Sequence, residues 1–329
     1  MTLLLNKSTI ETVLDMSTTI DVMADAFTEL GNGFCETPQR LAMADLTRKG
    51  WAAFMPARLS MKGAFGVKVV STYDDNPSTY GLPTTMGTIL YIDNNTGEVL
   101  SVMDGTFITA MRTGAASGLA TRYLASENVS VAGVIGTGVQ ARTQLAAVCS
   151  VRSIDSVICF SSGNKERQIS FINDMSGQLG VDVRLARSTR EVVENADVLV
   201  LATSSGQPVI DGDWLRLGTH VNAIGSHTPD RRELDAKSIM KSKVVCDYIP
   251  SCLVEAGDII IPINEGTFTN SVIHADLGEL VTGLKKARET EDEITLFKSV
   301  GLSIQDVAVA KYVYDKAVLQ NLGVNFDFS

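Results

Sequence analysis

The chain has 329 residues, which at about 100 to 200 residues per domain predicts two domains, each large enough to bury its own core. With 45% hydrophobic residues, 20% charged residues and eight prolines, the composition is that of a compact globular protein and disfavours long disorder. Lys and Arg number 28 against 38 Asp and Glu, a net charge of −10, and so acidic a chain repels the phosphate backbone that a nucleic-acid binder must neutralise.

Near the amino terminus Ser8-Thr9-Ile10-Glu11 matches a capping box, and Ile20, Met23, Ala24, Phe27 and Leu30 then recur at helical spacing until Gly31-Asn32-Gly33. This predicts one amphipathic helix. Residues 64–71, 85–93 and 99–103 are rich in β-branched and apolar side chains, and Asp93-Asn94-Asn95-Thr96-Gly97 reads as a hairpin turn, so an antiparallel or mixed sheet is expected. From about residue 129 the pattern becomes short apolar strands alternating with helices, at 129–135, 156–160, 181–185, 198–202, 220–224 and 243–246. Runs that are apolar on both faces suit a buried parallel sheet, hence a doubly wound α/β domain that binds ligands at the carboxyl ends of its strands. The tail carries Val307, Ala308, Ala310, Val313 and Ala317 as a helix that packs back on the first domain. The expected division is 1–116 with the helix at 306–329, and 117–305 as the doubly wound α/β domain.

Five cysteines, at 35, 149, 159, 246 and 252, form no Cys-x-x-Cys pair and read as reduced thiols of a cytoplasmic protein. No basic leader precedes a long apolar run, and nothing marks the chain for export or a membrane. His220 and His274 fall in no motif and are read as structural.

Directly after the strand ending at Ile135 stands Gly136-Thr137-Gly138-Val139-Gln140-Ala141, with a helix expected from near Arg142. This is the Gly-x-Gly-x-x-Ala form of the dinucleotide fingerprint: the first glycine permits the turn, the second lets a pyrophosphate approach the backbone, and Ala141 allows close helix–strand packing. The plainer alternative is a tight turn that binds nothing. NAD-preferring sites place a carboxylate at the end of the second strand, where it holds the ribose 2′-hydroxyl. Here that strand ends at Phe160 and continues Ser161-Ser162-Gly163-Asn164-Lys165-Glu166-Arg167. Neither serine repels a 2′-phosphate, and Lys165 or Arg167 would neutralise one, so NADPH is the expected cofactor with NADH as second choice. Alternatively, the serines start a turn and the two cations lie on a solvated helix face. Thr203, Ser204 and Ser205, after the strand at 198–202, are expected to line the nicotinamide pocket, or else to cap a following helix.

Three cations of the first domain sit outside solvated charge runs. Arg40 follows Thr37-Pro38-Gln39, Lys68 lies within Phe65-Gly66-Val67-Lys68-Val69-Val70, and Arg112 stands in Ala110-Met111-Arg112-Thr113-Gly114. A cation inside an apolar strand needs a partner, because an unpaired desolvated charge is costly. A substrate carboxylate would supply one, and an internal salt bridge would do so equally well.

The chain resembles the ornithine cyclodeaminase and mu-crystallin family in Phe65-Gly-Val-Lys68, Gly81-Leu-Pro-Thr-Thr-Met-Gly87, Asp104 to Ala116, Gly136 to Ala141, Asn222-Ala-Ile-Gly225, Asp276-Leu-Gly-Glu279 and Phe297-Lys-Ser-Val-Gly301, in the family's order. The resemblance implies a Rossmann-type domain beside a mixed α+β domain that binds substrate and forms a homodimer. It assigns the substrate carboxylate to Arg40, Lys68 and Arg112, and extends the cofactor site to Thr113, Gly225, Ser226 and Gly301. The chemistry it implies is hydride exchange between a nicotinamide and the α-carbon of an amino or imino acid.

One departure discriminates among the family's activities. Cyclodeaminases and alanine dehydrogenases carry an aspartate two residues after the glycine matched by Gly225, whereas this chain has His227. An imidazole donates a proton near neutral pH, which suits an imine nitrogen that is being reduced. Lys68 and Asp230 are the competing acid–base groups. The expected activity is therefore NAD(P)H-dependent reduction of 1-pyrroline-2-carboxylate to L-proline, with 1-piperideine-2-carboxylate to L-pipecolate beside it. Ornithine cyclodeaminase, alanine dehydrogenase and a mu-crystallin-like binding protein are the alternatives.

Overall fold

The computed structural model describes residues 1–45, 47–48 and 50–328. In chain order the elements are β1 (Thr2–Leu5), α1 (Lys7–Val13), α2 (Met16–Gly31), β2 (Cys35–Glu36), β3 (Leu41–Asp45), β4 (Gly50–Leu59), β5 (Ala64–Tyr73), α3 (Asn76–Thr79), β6 (Thr85–Ile92), β7 (Val99–Asp104) and α4 (Gly105–Leu124). There follow β8 (Val131–Ile135), α5 (Val139–Val151), β9 (Ser156–Phe160), α6 (Lys165–Leu179), β10 (Asp182–Leu185), α7 (Thr189–Asn195), β11 (Val198–Leu201), β12 (His220–Ala223) and α8 (Ala236–Met240). The last are β13 (Ser242–Cys246), α9 (Ile249–Glu255), α10 (Gly257–Asn264), β14 (Ile273–Asp276), α11 (Leu277–Val281), β15 (Ile294–Lys298), α12 (Ser303–Leu319) and β16 (Val324–Phe326). They form two compact units, Met1–Arg112 with Leu302–Ser329, and Thr113–Gly301. The divisions thus fall four residues before those read from the sequence, and the first lies inside α4.

The first unit is built on a mixed sheet in the order β16-β1-β7-β6-β5-β4-β2, with β3 also on β4. Among the described residues of this sheet only β1 and β7 run parallel. Burial alternates along β5 so that Ala64, Gly66, Lys68 and Val70 share the inner face, as the two-residue period of a strand requires. Helix α12 packs on α2, β4, β5 and β6 and buries Ile304, Val307, Val309 and Val313, each contributing about 1.5–3 kcal/mol relative to exposure.

The second unit is an all-parallel eight-stranded sheet in the order β10-β9-β8-β11-β12-β15-β13-β14. The chain reverses direction across the sheet between β8 and β11, the switch point at which doubly wound sheets bind ligands. Among its glycines, Gly114 lets α4 meet α5 backbone to backbone, since a Cβ there would lie 2.5 Å from the Thr143 carbonyl oxygen. The motif Asp276-Leu-Gly-Glu279 is a reciprocal capping box at the start of α11, with both hydrogen bonds at 3.1 Å.

Several elements differ from the sequence reading. The single helix expected from Ser8 to Leu30 is two, because Leu14 is extended and Asp15 caps a fresh helix by accepting the Thr18 amide at 2.8 Å. The first helix is capped by Asn6 rather than Ser8. Helix α5 starts at Val139, three residues before Arg142. Strands β1, β2, β3, β4, β14, β15 and β16 had no expectation; β4 reads Gly-Trp-Ala-Ala-Phe-Met-Pro-Ala-Arg-Leu, and its alanines and Pro56 mask its strand character. Among the described residues no helix is long and apolar enough to cross a membrane, and all five cysteines are free thiols.

Candidate functional site

The inner face of β5 and the buried face of α12 bring ionised side chains together in the first unit. Lys68 Nζ lies 2.6 Å from Asp306 Oδ2, and Arg112 Nε donates to Asp306 Oδ1 at 3.0 Å. Arg112 Nη1 also donates to Gln305 Oε1 at 2.6 Å. Lys68 is 1% exposed, Arg112 6% and Asp306 0%. Internal pairing and ligand binding were posed as alternatives for the cations, and for Lys68 and Arg112 the pairing is present. Two cations meet one carboxylate, a surplus of one positive charge while Lys68 is protonated. Burial, then the Arg112 guanidinium, pull the Lys68 ammonium down to about 7 against the opposing pull of Asp306, and Arg40 is near enough to lower it further. The cluster therefore unites Arg40, Lys68 and Arg112 electrostatically.

In the second unit the turn after β8 has the geometry of a phosphate cradle. Gly136 has φ +109°, and a Cβ on it would collide with the Ala202 carbonyl at the end of β11. Gly138 is the cap of the 13-residue helix α5, brings no capping side chain, and has nothing within 4 Å of where a Cβ would stand. Thr137, Val139 and Gln140 complete the turn, and Ala141 is fully buried beneath it. Uncapped amides at a helix start beside open space fit a dinucleotide pyrophosphate.

At the end of β9, Ser161 forms a turn: its hydroxyl accepts the Gly163 amide at 3.2 Å and its carbonyl the Gln168 side chain at 2.5 Å. Ser162 is exposed, as are Lys165 and Arg167 in the first turn of α6. No helix begins directly after Thr203, Ser204 and Ser205, so they cap none; the Thr203 hydroxyl accepts the Ser205 amide at 3.1 Å. Thr113 lies in α4, where its carbonyl accepts Gln144 Nε2 at 3.1 Å. Gly301 has φ +81° and donates its amide to Asp247 at 2.7 Å.

Gly225 is enclosed by the Glu233 carboxylate and the Thr203 carbonyl. Beyond it His227 is exposed, with Nδ1 3.2 Å from the Gly225 carbonyl. Asp230 is exposed too, and the Thr228 hydroxyl and Arg231 hold its carboxyl below the usual range. Arg40, Lys68 and Arg112 thus belong to one unit, and His227, Asp230 and the cofactor residues to the other. The remaining histidines contact groups of the second unit. His220 is fully buried with Nδ1 3.0 Å from Thr295 Oγ1, and burial pushes its pKa down to about 3; His274 Nε2 lies 2.9 Å from the Lys286 carbonyl. Among the described residues no His, Cys, Asp and Glu side chains group as a metal site.

Sequence reasoning missed Asp306 and Gln305, although two polar residues on the apolar stripe of the tail helix were a usable signal. It also missed Glu233, Asp258 and Lys298, each fully buried. Glu233 sits in Arg231-Arg232-Glu233-Leu234-Asp235, which reads as a solvated charge run.

Residues 1–321 match the ornithine cyclodeaminase/mu-crystallin family. The chain belongs to that family. Among relatives, it is 37% identical to an alanine dehydrogenase of Archaeoglobus fulgidus, over 99% of this chain and 98% of that protein. It is 36% identical to a delta(1)-pyrroline-2-carboxylate reductase of Bacillus cereus, over 96% and 97%. Among solved structures, it matches the Thermococcus litoralis delta(1)-pyrroline-2-carboxylate reductase in complex with NADH and L-proline with a TM-score of 0.96 and 46% identity, covering 98% and 100% of the two chains. The family's shared fold and the present architecture agree.

Proposed function

We propose that this oxidoreductase reduces the carbon–nitrogen double bond of a cyclic imino acid, with 1-pyrroline-2-carboxylate as principal substrate and L-proline as product. The six-membered homologue, giving L-pipecolate, is the second substrate. The observation that carries the reading is the Lys68–Arg112–Asp306 cluster, whose surplus positive charge a substrate carboxylate would balance. Relatives bearing this activity at 36% and 46% identity support it.

In this reading the first unit holds the carboxylate through Arg112 and Lys68 with Arg40 beside them, and positioning supplies much of the acceleration. The second unit holds the dinucleotide at Gly136 to Gln140, with Ser161, Ser162 and Lys165 toward the adenosine end and Thr203 to Ser205, Gly225 and Ser226 toward the nicotinamide. When bound, the reduced nicotinamide supplies the hydride. His227 gives the proton to the ring nitrogen, with Lys68 as alternate donor because its ammonium titrates near neutrality. Asp230, whose carboxyl the Thr228 hydroxyl and Arg231 hold below the usual range, is the third acid–base candidate. The exposed cations Lys165 and Arg167, with serines in place of an acid after β9, support NADPH over NADH, and NADH is accepted as second cofactor. Exposed Leu41 and Met43 on β3 support a homodimer joined through the first unit, and the free thiols support a cytoplasmic setting.

The test is oxidation of NADPH and of NADH by the purified protein with 1-pyrroline-2-carboxylate, run beside ornithine plus NAD with ammonia detection. Imine-dependent oxidation without ammonia from ornithine is expected. A second reading, alanine dehydrogenation, is favoured by the 37% identical relative; NADH-driven amination of pyruvate, with an inert imine, would establish it instead.

A further inference from the structure

Three buried ionisable side chains of the second unit take no part in this chemistry. Lys298, the last residue of β15, pairs with Asp258 Oδ2 at 2.6 Å and donates to the Ser226 carbonyl at 2.6 Å. Asp258, in the first turn of α10, accepts the amides of Glu233 at 2.6 Å and Leu234 at 2.8 Å through Oδ1. The Glu233 carboxylate then spans the carboxyl edge of the sheet: Oε1 accepts the Thr203 amide at 2.6 Å and Oε2 the Gly225 amide at 2.7 Å.

Thr203 and Gly225 follow the neighbouring parallel strands β11 and β12, so one side chain ties two strand ends together. The residue at 225 must be glycine, because a Cβ would strike both the carboxylate and the Thr203 carbonyl. The loop that carries His227 is held at both ends, at Ser226 by Lys298 and at Glu233 and Leu234 by Asp258; the Ser226 hydroxyl closes it by donating to the Arg231 carbonyl at 2.5 Å. Two buried carboxylates and one amine are a poor way to stabilise a core, since apolar side chains of similar volume do as well or better. What they supply is a fixed backbone, and they supply it at the edge where a doubly wound sheet takes its ligand.

We propose that Glu233, backed by Asp258 and Lys298, is a positioning residue for the nicotinamide end of the dinucleotide site, fixing the Thr203 and Gly225 backbones and the His227 loop. The proposal rests on the dinucleotide reading of this unit. Its test compares the full-length protein with Glu233→Gln and Glu233→Asp, titrated with NADH, with NADPH and with ADP-ribose, which lacks the nicotinamide. Glutamine keeps the volume but offers one acceptor oxygen and turns an NH₂ toward the second amide; aspartate is too short to reach both.

Both variants are expected to fold, and to weaken reduced-dinucleotide binding by about tenfold or more, the scale of a lost charged hydrogen bond. ADP-ribose affinity should stay within about twofold, because its contacts lie at the separate Gly136 turn. An unchanged dinucleotide affinity, or equal weakening of all three ligands, would overturn the proposal. Failure of both variants to fold would do so too, since the carboxylate would then be a folding requirement. A wild-type protein that binds none of the three ligands would instead sink the dinucleotide reading beneath it.

Discussion

The two units each bury a three-membered ionisable cluster, two cations with one carboxylate in the first and two carboxylates with one cation in the second. In the first, Lys68 and Arg112 share Asp306, leaving one positive charge over. In the second, Lys298 pairs with Asp258, and Glu233 is a further buried carboxylate whose pKa burial and the Asp258 charge raise. The remainders are treated differently. The surplus carboxylate is consumed internally by the Thr203 and Gly225 amides, whereas the surplus cation is the charge that the proposed substrate would balance. Burial alone therefore does not separate a binding group from a structural one; what satisfies the remainder does.

Removing one cation from each cluster is the strongest way to break that comparison. Arg112→Ala leaves Asp306 paired with Lys68, so the protein should stay folded while kcat/KM for the imino acid falls by roughly a thousandfold, the scale of a lost bidentate anchor. Lys298→Met strands buried Asp258 and should cost about 3–5 kcal/mol of stability, measured by denaturant unfolding. If Arg112→Ala unfolds as readily as Lys298→Met, the two clusters are equivalent and the distinction fails.

His227→Ala asks which unit gives the proton. Loss of a general acid should lower kcat by about a hundredfold with little change in KM. A variant turning over at the wild-type rate would leave Lys68 as the donor.

pH sharpens the contrast through Lys68, whose folded pKa of about 7 lies below the 10.5 of a free lysine. Between these values the unfolded chain binds the proton and the folded chain does not, so this group makes stability rise with pH across that window. Activity that needs the ammonium should move the other way, with kcat/KM falling as pH climbs through about 7. Lys68→Met should abolish the stability slope, which unfolding measured at several pH values would register.

The smallest effect is expected at the cofactor's adenosine end. Replacing Lys165 and Arg167 together by alanine should lower the preference for NADPH over NADH by about tenfold, two exposed cations each contributing modestly. An unchanged ratio would assign the 2′-position to other groups.

Most of the parallel unit was legible because its central strands are apolar on both faces and its first turn needs Gly136 in a conformation other residues rarely adopt, although β14 and β15 had no expectation. The first unit was less so. Strand β4 is rich in alanine and holds Pro56, and Leu14 interrupts a helical period that runs in phase across the break. Lys68 and Arg112 stood out because charge is rare in apolar runs. Asp306 and Glu233 did not, for a carboxylate in a helix or among other charges looks solvated until the fold shows what covers it.

The pairing of β1 with β16, Thr2 opposite Phe326, also constrains how the protein is made. The first unit joins two segments separated by the whole of the second unit, so during synthesis its early strands must wait for α12 and β16 to emerge from the ribosome. The continuous second unit has all its strands beforehand and can fold first. Asp306 arrives with that later segment, and until then Lys68 and Arg112 stay hydrated beside an uncovered sheet. During that interval the sheet's unpaired edges and apolar face are exposed, the surfaces through which incompletely folded chains aggregate.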